Sequence, residues 1–417
     1  MKNALRIPFL TGLFFLLFGS MEAQTLQDYL LYAAENNPMV KAAYSEFEAA
    51  LQEAPQVKSL PDPTLTVSAF GQMVETRLGP QEARFSLMQM FPWFGTLEAR
   101  QNVANLMAEA KFQAFLNTRN EILLQVSSKY YELYELEQQL QYQQENLEIL
   151  QNYKDLALSR VSSGSGALSD VLQADLLRNE SVTGLDVIRL RKDVLLAQFN
   201  TLLSREKSEA VLVPDQIEIA PENVIFDTPV ANNPQLEEME NMAASARARE
   251  ELAKKEGMPN VGIGLDYVIV GERMDMAVDD NGRDAIMPML SVSLPIFRGK
   301  YKAARKQAAF MAESYEQRKE GLENQLSAEL ESAVFEVEEA RAMLQLYERQ
   351  VESSEQVLNL LLSSYRNAAS NFEEVLRVRQ ELLKYQLAVA GAEAAYLTAL
   401  AKIDYLSGKT LDYGRQK

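Results

Sequence analysis

From Thr96 to Ser163 the chain runs 68 residues without a glycine or a proline, and no other feature narrows its fold so much. A continuous helix of that length would extend on the order of 100 Å at 1.5 Å rise per residue. Such a helix is too long to lie alone in a globule, so it needs a partner along its length. Leu133, Leu140 and Leu147 recur every seven residues, as do Leu136, Leu150 and Ala157 with Gln143 intervening. That period lays a seam down one face for another helix.

The stretch ends at "VSSGSGALSDVLQADLL", Val161 to Leu177, where Gly164 and Gly166 sit among serines and helical periodicity resumes at once. Glycine permits the backbone conformations of a tight reversal, so the next helix is expected to fold back antiparallel on the first. A flexible linker is the alternative, disfavoured because helix signals press close on both sides. A related skeleton, "YRNAASNFEEVLRVRQELL" from Tyr365, places Val375-Leu376 204 residues after Val171-Leu172. The second half should therefore repeat the first, with helices over Lys302 to Ala368 and Asn371 to about Leu406.

The repeat reaches the start of each half. Pro38, preceded by Asn36-Asn37, stands 25 residues before Pro63, and Pro234, preceded by Asn232-Asn233, stands 25 residues before Pro259. Both intervals are helical in composition, giving one short helix per half that ends at a strand-starting proline. Apolar residues then take every second place in Thr64 to Phe70 and in Val261 to Tyr267, with second alternating segments around Arg84 to Met90 and Met289 to Leu294. Asn281-Gly282 is a favoured pair for the turn of the second hairpin. Strands of ~9 to 12 residues suit a tilted crossing of a bilayer. Both hairpins finish alike, in "FPWFGTLEAR" from Phe91 and "LPIFRGKYKAAR" from Leu294. Pro92 and Pro295 cannot donate to a ladder, and a helix begins there.

The expected organisation is mainly α with a small β part. Residues 24–220 form a first structural repeat with a hairpin at 63–91 and a helical tip near 164–168, and residues 221–417 a second with a hairpin at 259–297 and a tip near 368–371. Residues 1–23 read as a secretory signal peptide, because Lys2 and Arg6 precede an apolar run from Ile7 to Phe18 that is shorter than the ~20 residues of a spanning helix. Four strands cannot close a barrel, and open edges are not tolerated in lipid. Several chains must therefore pool their strands, with the long helices projecting as a hollow assembly.

Composition removes whole classes of function. The chain has no cysteine and no histidine, which excludes disulfides, lipid attachment through an N-terminal cysteine, and catalysis or metal binding that depends on imidazole or thiolate. No nucleophile and base stand together, no catalytic residue is assigned, and no cofactor is implied. The formal charge of −18 repels nucleic acid and suits the solubility of long exposed helices. Seven methionines, Met73, Met88, Met90, Met274, Met276, Met287 and Met289, gather in and around the hairpins. Thioethers suit Cu(I) and Ag(I), but filling of wall and loop is the commoner use, so no metal ligand is assigned. "DDNGRD" from Asp279 resembles part of a calcium loop, yet Ala277 and Pro288 occupy its first and twelfth positions; it reads as a solvated loop. Tyr130, Tyr131 and Tyr134 read as helix packing. Phe91, Trp93, Phe94 and Phe297, where strands give way to helices, suit either a membrane-interface belt or packing at that junction.

The paired hairpins and reversals, with "RVSSGSGALSDVLQAD" and "SVSLPIFRGKYKAARKQAA", resemble the TolC family of outer-membrane efflux channels, and "MFPWFGTLEARQNVA" resembles its CusC/CzcC heavy-metal branch. The resemblance implies a homotrimer whose twelve pooled strands form one barrel in the outer-membrane lipid, continued by a helical tunnel through the periplasm. It also implies a passive duct that docks on a periplasmic adaptor, or membrane fusion protein, and an inner-membrane pump of RND type. Multidrug or type I protein export is the alternative within transport, and a periplasmic coiled-coil scaffold the alternative outside it. Carried over by motif, Arg160, Gly164, Gly166, Val171, Leu172, Ser370, Val375 and Leu376 would form the adaptor-binding tip, and Asp170, Tyr365 and Glu374 the periplasmic gate. Asp170 is otherwise an acid in a helix's first turn, favoured there by the macrodipole, with Ser169 or a neighbour as cap. Ala368 stands where relatives have glycine, Ser370 where some place a gating arginine, and Arg377 where an entrance-ring acid is usual.

Overall fold

A computed structural model of the chain describes residues 25–217, 219, 229–367 and 371–409. The proposed signal peptide, Ala368 and Ser370 lie outside the described residues. The first half begins with two helices, α1 (Leu26–Asn36) and α2 (Pro38–Lys58), where one was expected. The reason is local: Asn37 leaves the helical region, and Pro38 opens a new helix because it lacks the amide that a first turn would leave unbonded. Asn37 Oδ1 accepts from the amides of Met39 at 2.8 Å and Val40 at 3.4 Å, while its Nδ2 donates to the Leu202 carbonyl at 2.8 Å. The second half repeats the device. Asn233 caps α5 (Pro234–Glu256) by accepting from Gln235 N at 3.0 Å and donates to the Leu406 carbonyl at 3.1 Å. Each Asn-Pro pair thus starts one helix and fastens the end of another.

Four antiparallel strands follow the order β1 (Thr64–Thr76), β2 (Gly79–Phe91), β3 (Asn260–Val270) and β4 (Ala285–Ser293). Both strands of the first hairpin reach 13 residues, longer than expected, since pairing continues past the alternating segment to a tight turn before Gly79. The β2–β3 ladder joins the two halves into one sheet. Asn281-Gly282 lies in the 271–284 loop, where Asn281 holds the Arg273 backbone through both its amide atoms at 2.8 and 2.9 Å.

The long helices are α3 (Thr96–Ser162), α4 (Leu168–Leu202), α6 (Gly299–Arg366) and α7 (Phe372–Leu406). The seam of α3 serves more partners than the reversal alone suggested, because α3 packs on α2, α5 and α7 as well as on α4. Leu133 and Leu136 are buried with Tyr29, Leu195 and Phe199 of the first half. Leu150 and Ala157 instead join Val171, Tyr365, Phe372 and Val375 in a core drawn from both halves. A helix this long carries stripes on several faces, and periodicity does not say which neighbour covers which stripe. Tyr134 is buried with its hydroxyl donating to Glu393 Oε2 at 2.8 Å, a polar link from α3 to α7 beyond simple packing. No helix among the described residues is long and apolar enough to cross a membrane.

Candidate functional site

Two regions carry unusual chemistry: the sheet, and the far ends of the long helices. Residues directly opposite one another in a ladder share a face. One face presents Leu65, Leu87, Leu265 and Pro288 in one row and Val67, Phe85, Tyr267 and Ile286 in another. These apolar side chains point to solvent in the single chain, with Leu65 63% and Val67 62% exposed. The opposite face carries Thr64, Thr66, Ser68, Ser86, Asp266 and Ser291, with four methionines and Val268 among them. There Asp266, fully buried, pairs with Arg84 across the β2–β3 ladder. An apolar outer face with a polar inner one is the distribution of a wall between lipid and water. Phe91 ends β2 on the apolar face, Trp93 and Phe94 follow in an edge-to-face contact at 5.9 Å, and Phe297 follows β4. Phe94 and Phe297 are 86% and 80% exposed in the single chain.

At the far end, α3 closes through Ser165 N donating to the Arg160 carbonyl at 2.9 Å and Gly164 N to the Val161 carbonyl at 3.0 Å. The two glycines serve different needs. Gly164 has φ +73°, and a Cβ there would meet nothing within 4 Å, so its requirement is conformational. At Gly166 a Cβ would lie 2.8 Å from Arg160 Cβ and 3.0 Å from Val161 N, so its requirement is space. The next helix starts from Ala167 without a side-chain cap. Ser169, expected as a possible cap, donates to Asp170 instead at 3.4 Å.

The structure brings Arg160, Asp170 and Tyr365 together. Arg160 Nη2 donates to the Ser165 carbonyl and Nη1 to the Tyr365 carbonyl, both at 2.9 Å, and the guanidinium stacks 4.3 Å from the Tyr365 ring centre. The Tyr365 hydroxyl donates to Asp170 Oδ2 at 3.3 Å. Burial, followed by the Asp170 charge, pushes the Tyr365 phenol up, so it stays a donor throughout the physiological range. A positive and a negative side chain of the first reversal thus grip one tyrosine of the second.

The other tip candidates divide by burial. Val171, Val375 and Leu376 are buried in the core between the halves, whereas Leu172 is 57% exposed and Glu374 faces solvent. Reading the sequence missed Leu168 and Leu176, which flank Leu172 at four-residue spacing and extend an exposed apolar stripe along α4. It also missed Arg379, which is 5% exposed and donates through Nε to Asn146 Oδ1 at 2.8 Å. The only signal for Arg379 was its position between apolar residues on the inner face of a helix, since an arginine by itself reads as surface.

Two segments of the chain, residues 31–181 and 227–409, match the model of the outer membrane efflux protein family, one segment in each structural repeat. No curated protein matches the sequence. The fold is similar to that of VceC, an outer membrane protein of Vibrio cholerae, with 18% identity, coverage of 92% of this chain and 96% of that one, and a TM-score of 0.73. It is similar to CusC at 15% identity, coverage of 93% and 92%, and a TM-score of 0.77. The open state of the Neisseria gonorrhoeae MtrE outer membrane channel matches at 16% identity, coverage of 94% and 91%, and a TM-score of 0.73.

Proposed function

Because the chain belongs to the outer membrane efflux protein family, we propose that it is the homotrimeric exit duct of a tripartite efflux system. The family makes it an outer-membrane channel protein and not an enzyme. The observation that carries the fuller reading is the sheet. Its four strands have one apolar exposed face and two unpaired edges, β1 and β4. Backbone groups left open in hydrocarbon cost several kcal/mol each, so edge must meet edge between copies. Twelve strands from three chains close such a barrel, and the long helices continue it as a tunnel.

In this reading transport needs no chemistry from the duct. An inner-membrane pump supplies the energy, and a periplasmic adaptor engages the helical tip, where Leu168, Leu172 and Leu176 offer an exposed apolar ridge. The Arg160–Tyr365–Asp170 cluster holds the two reversals of one protomer together and so sets the resting width of the entrance. Glu374, exposed at the start of α7, contributes carboxylate to that entrance. The CusC/CzcC resemblance favours metal cations as cargo over drugs or proteins.

The tip assignment is tested by Gly164→Trp. A Cβ at Gly164 points into open space, so the backbone strain of a non-glycine residue there costs only ~1–2 kcal/mol, and the indole projects from the tip. Export should be lost while trimer and barrel persist. Unimpaired export by a well-expressed variant would sink the assignment.

A further inference from the structure

The methionines of the hairpins are not spread evenly between the two faces of the sheet. Met88 of β2 stands in one row with Gly264 and Met289, Met90 in the next with Gly262 and Ser291, and Met287 stands beside Asp266. These four methionines of β2 and β4 therefore lie on the polar face. Across these rows the remaining side chains of that face are Thr64, Thr66, Ser86, Asp266, Ser291 and the two glycines, so every large apolar group in them is a thioether. On the apolar face the intervening rows use Leu65, Leu87, Ile263, Leu265, Leu290 and Val292, with Gln89 their one polar member. If hydrophobic bulk were all that was needed, the branched residues of one face would serve on the other.

The sulfurs also converge. A Cβ built on Gly262 would lie 2.5 Å from Met90 Sδ and 3.1 Å from Met88 Sδ, and one built on Gly264 would lie 3.1 Å from Met88 Sδ. The glycines leave a shallow floor over which both thioethers fold, and the two sulfurs lie no farther apart than the sum of those first two distances. Met289 Sδ sits 3.9 Å from Arg84 Nη2, whose charge is matched by the buried Asp266. Thioether sulfur is a soft, uncharged donor that prefers Cu(I) and Ag(I) and binds hard cations poorly. Met274 and Met276, 99% and 56% exposed in the 271–284 loop, take no part.

We propose that Met88 and Met90 form a weak binding station for soft monovalent cations, Cu(I) or Ag(I), on the inner wall of the barrel. The proposal rests on the exit-duct reading for its location, since three copies would ring the lumen at one height. A neutral thioether set holds such an ion without trapping it, which suits a passing cargo.

The test uses the full-length protein purified in detergent, with Ag(I) alone as probe, followed by calorimetry and silver X-ray absorption. Saturable binding with silver–sulfur scattering is expected, and it should be lost in Met88→Leu/Met90→Leu. It should survive in Met274→Leu/Met276→Leu. Methionine-to-leucine changes conserve volume, and native mass on the same samples shows whether the assembly is intact. Absence of sulfur ligation, or undiminished binding by the Met88→Leu/Met90→Leu variant, would overturn the station. Either result leaves the trimer reading standing, whereas a monomer that still binds silver would remove the lumen and keep the site.

Discussion

Arg160 shows how much one side chain can do at a chain reversal. It satisfies two carbonyls, one in each half, and lies against a buried aromatic ring. Hydrogen bonds from a charged group contribute ~1.5–3 kcal/mol each, so Arg160→Ala should loosen the tip, read as faster amide exchange over residues 161–167 with the sheet unchanged. Arg160→Lys should restore little, because an ammonium cannot make the planar fork. Glu393 offers a pH test. Burial pushes its carboxyl above the ordinary 4.5, with the Tyr134 hydrogen bond opposing. The folded chain therefore holds this proton more tightly than the unfolded one, so the group favours folding at acidic pH and loses that contribution as pH rises above about 4.5. Glu393→Gln keeps an acceptor for Tyr134 and removes the buried charge. It should raise the melting temperature at neutral pH and leave it unchanged in acid; a loss at neutral pH would mean that the carboxylate is needed charged.

Among the elements, the faces of the strands decide what a substitution does. Val67 and Ser68 are neighbours in β1 on opposite faces. An arginine on the lipid side costs ~2–4 kcal/mol near the bilayer midplane, so Val67→Arg should cut the yield of folded barrel sharply and Ser68→Arg hardly at all. Equal yields would contradict the assignment of faces. Most of the element plan was legible, because it depends on local rules. Gly164 and Gly166 marked the first reversal, Asn371 caps α7 by accepting from Glu373 N at 3.3 Å, and Pro63 and Pro259 immediately precede β1 and β3. The less legible features depend on distant partners. Val171, Val375 and Leu376, assigned to the tip by motif, are buried there, and only tertiary packing shows that the two reversals share a core. The Arg84–Asp266 pair was hidden because its members lie 182 residues apart in sequence.

For the whole molecule, the single chain leaves large apolar side chains uncovered on its helices as well as on its sheet. Beyond the sheet, Val187, Leu190 and Val194 on α4 are 59–67% exposed, and Phe335 and Leu360 on α6 are 64% and 71% exposed. These helices pack on α3 and α7 on one side, and lateral packing of copies would cover the other. Large apolar side chains left bare on the outer sides of these helices suit an interface. One condition, three copies in a ring, answers both the open strand edges and the bare helix faces. The native mass of the protein extracted by detergent from the outer-membrane fraction tests that condition most directly. Three chains per particle is the predicted result, and a monomer recovered from the soluble periplasm would contradict it.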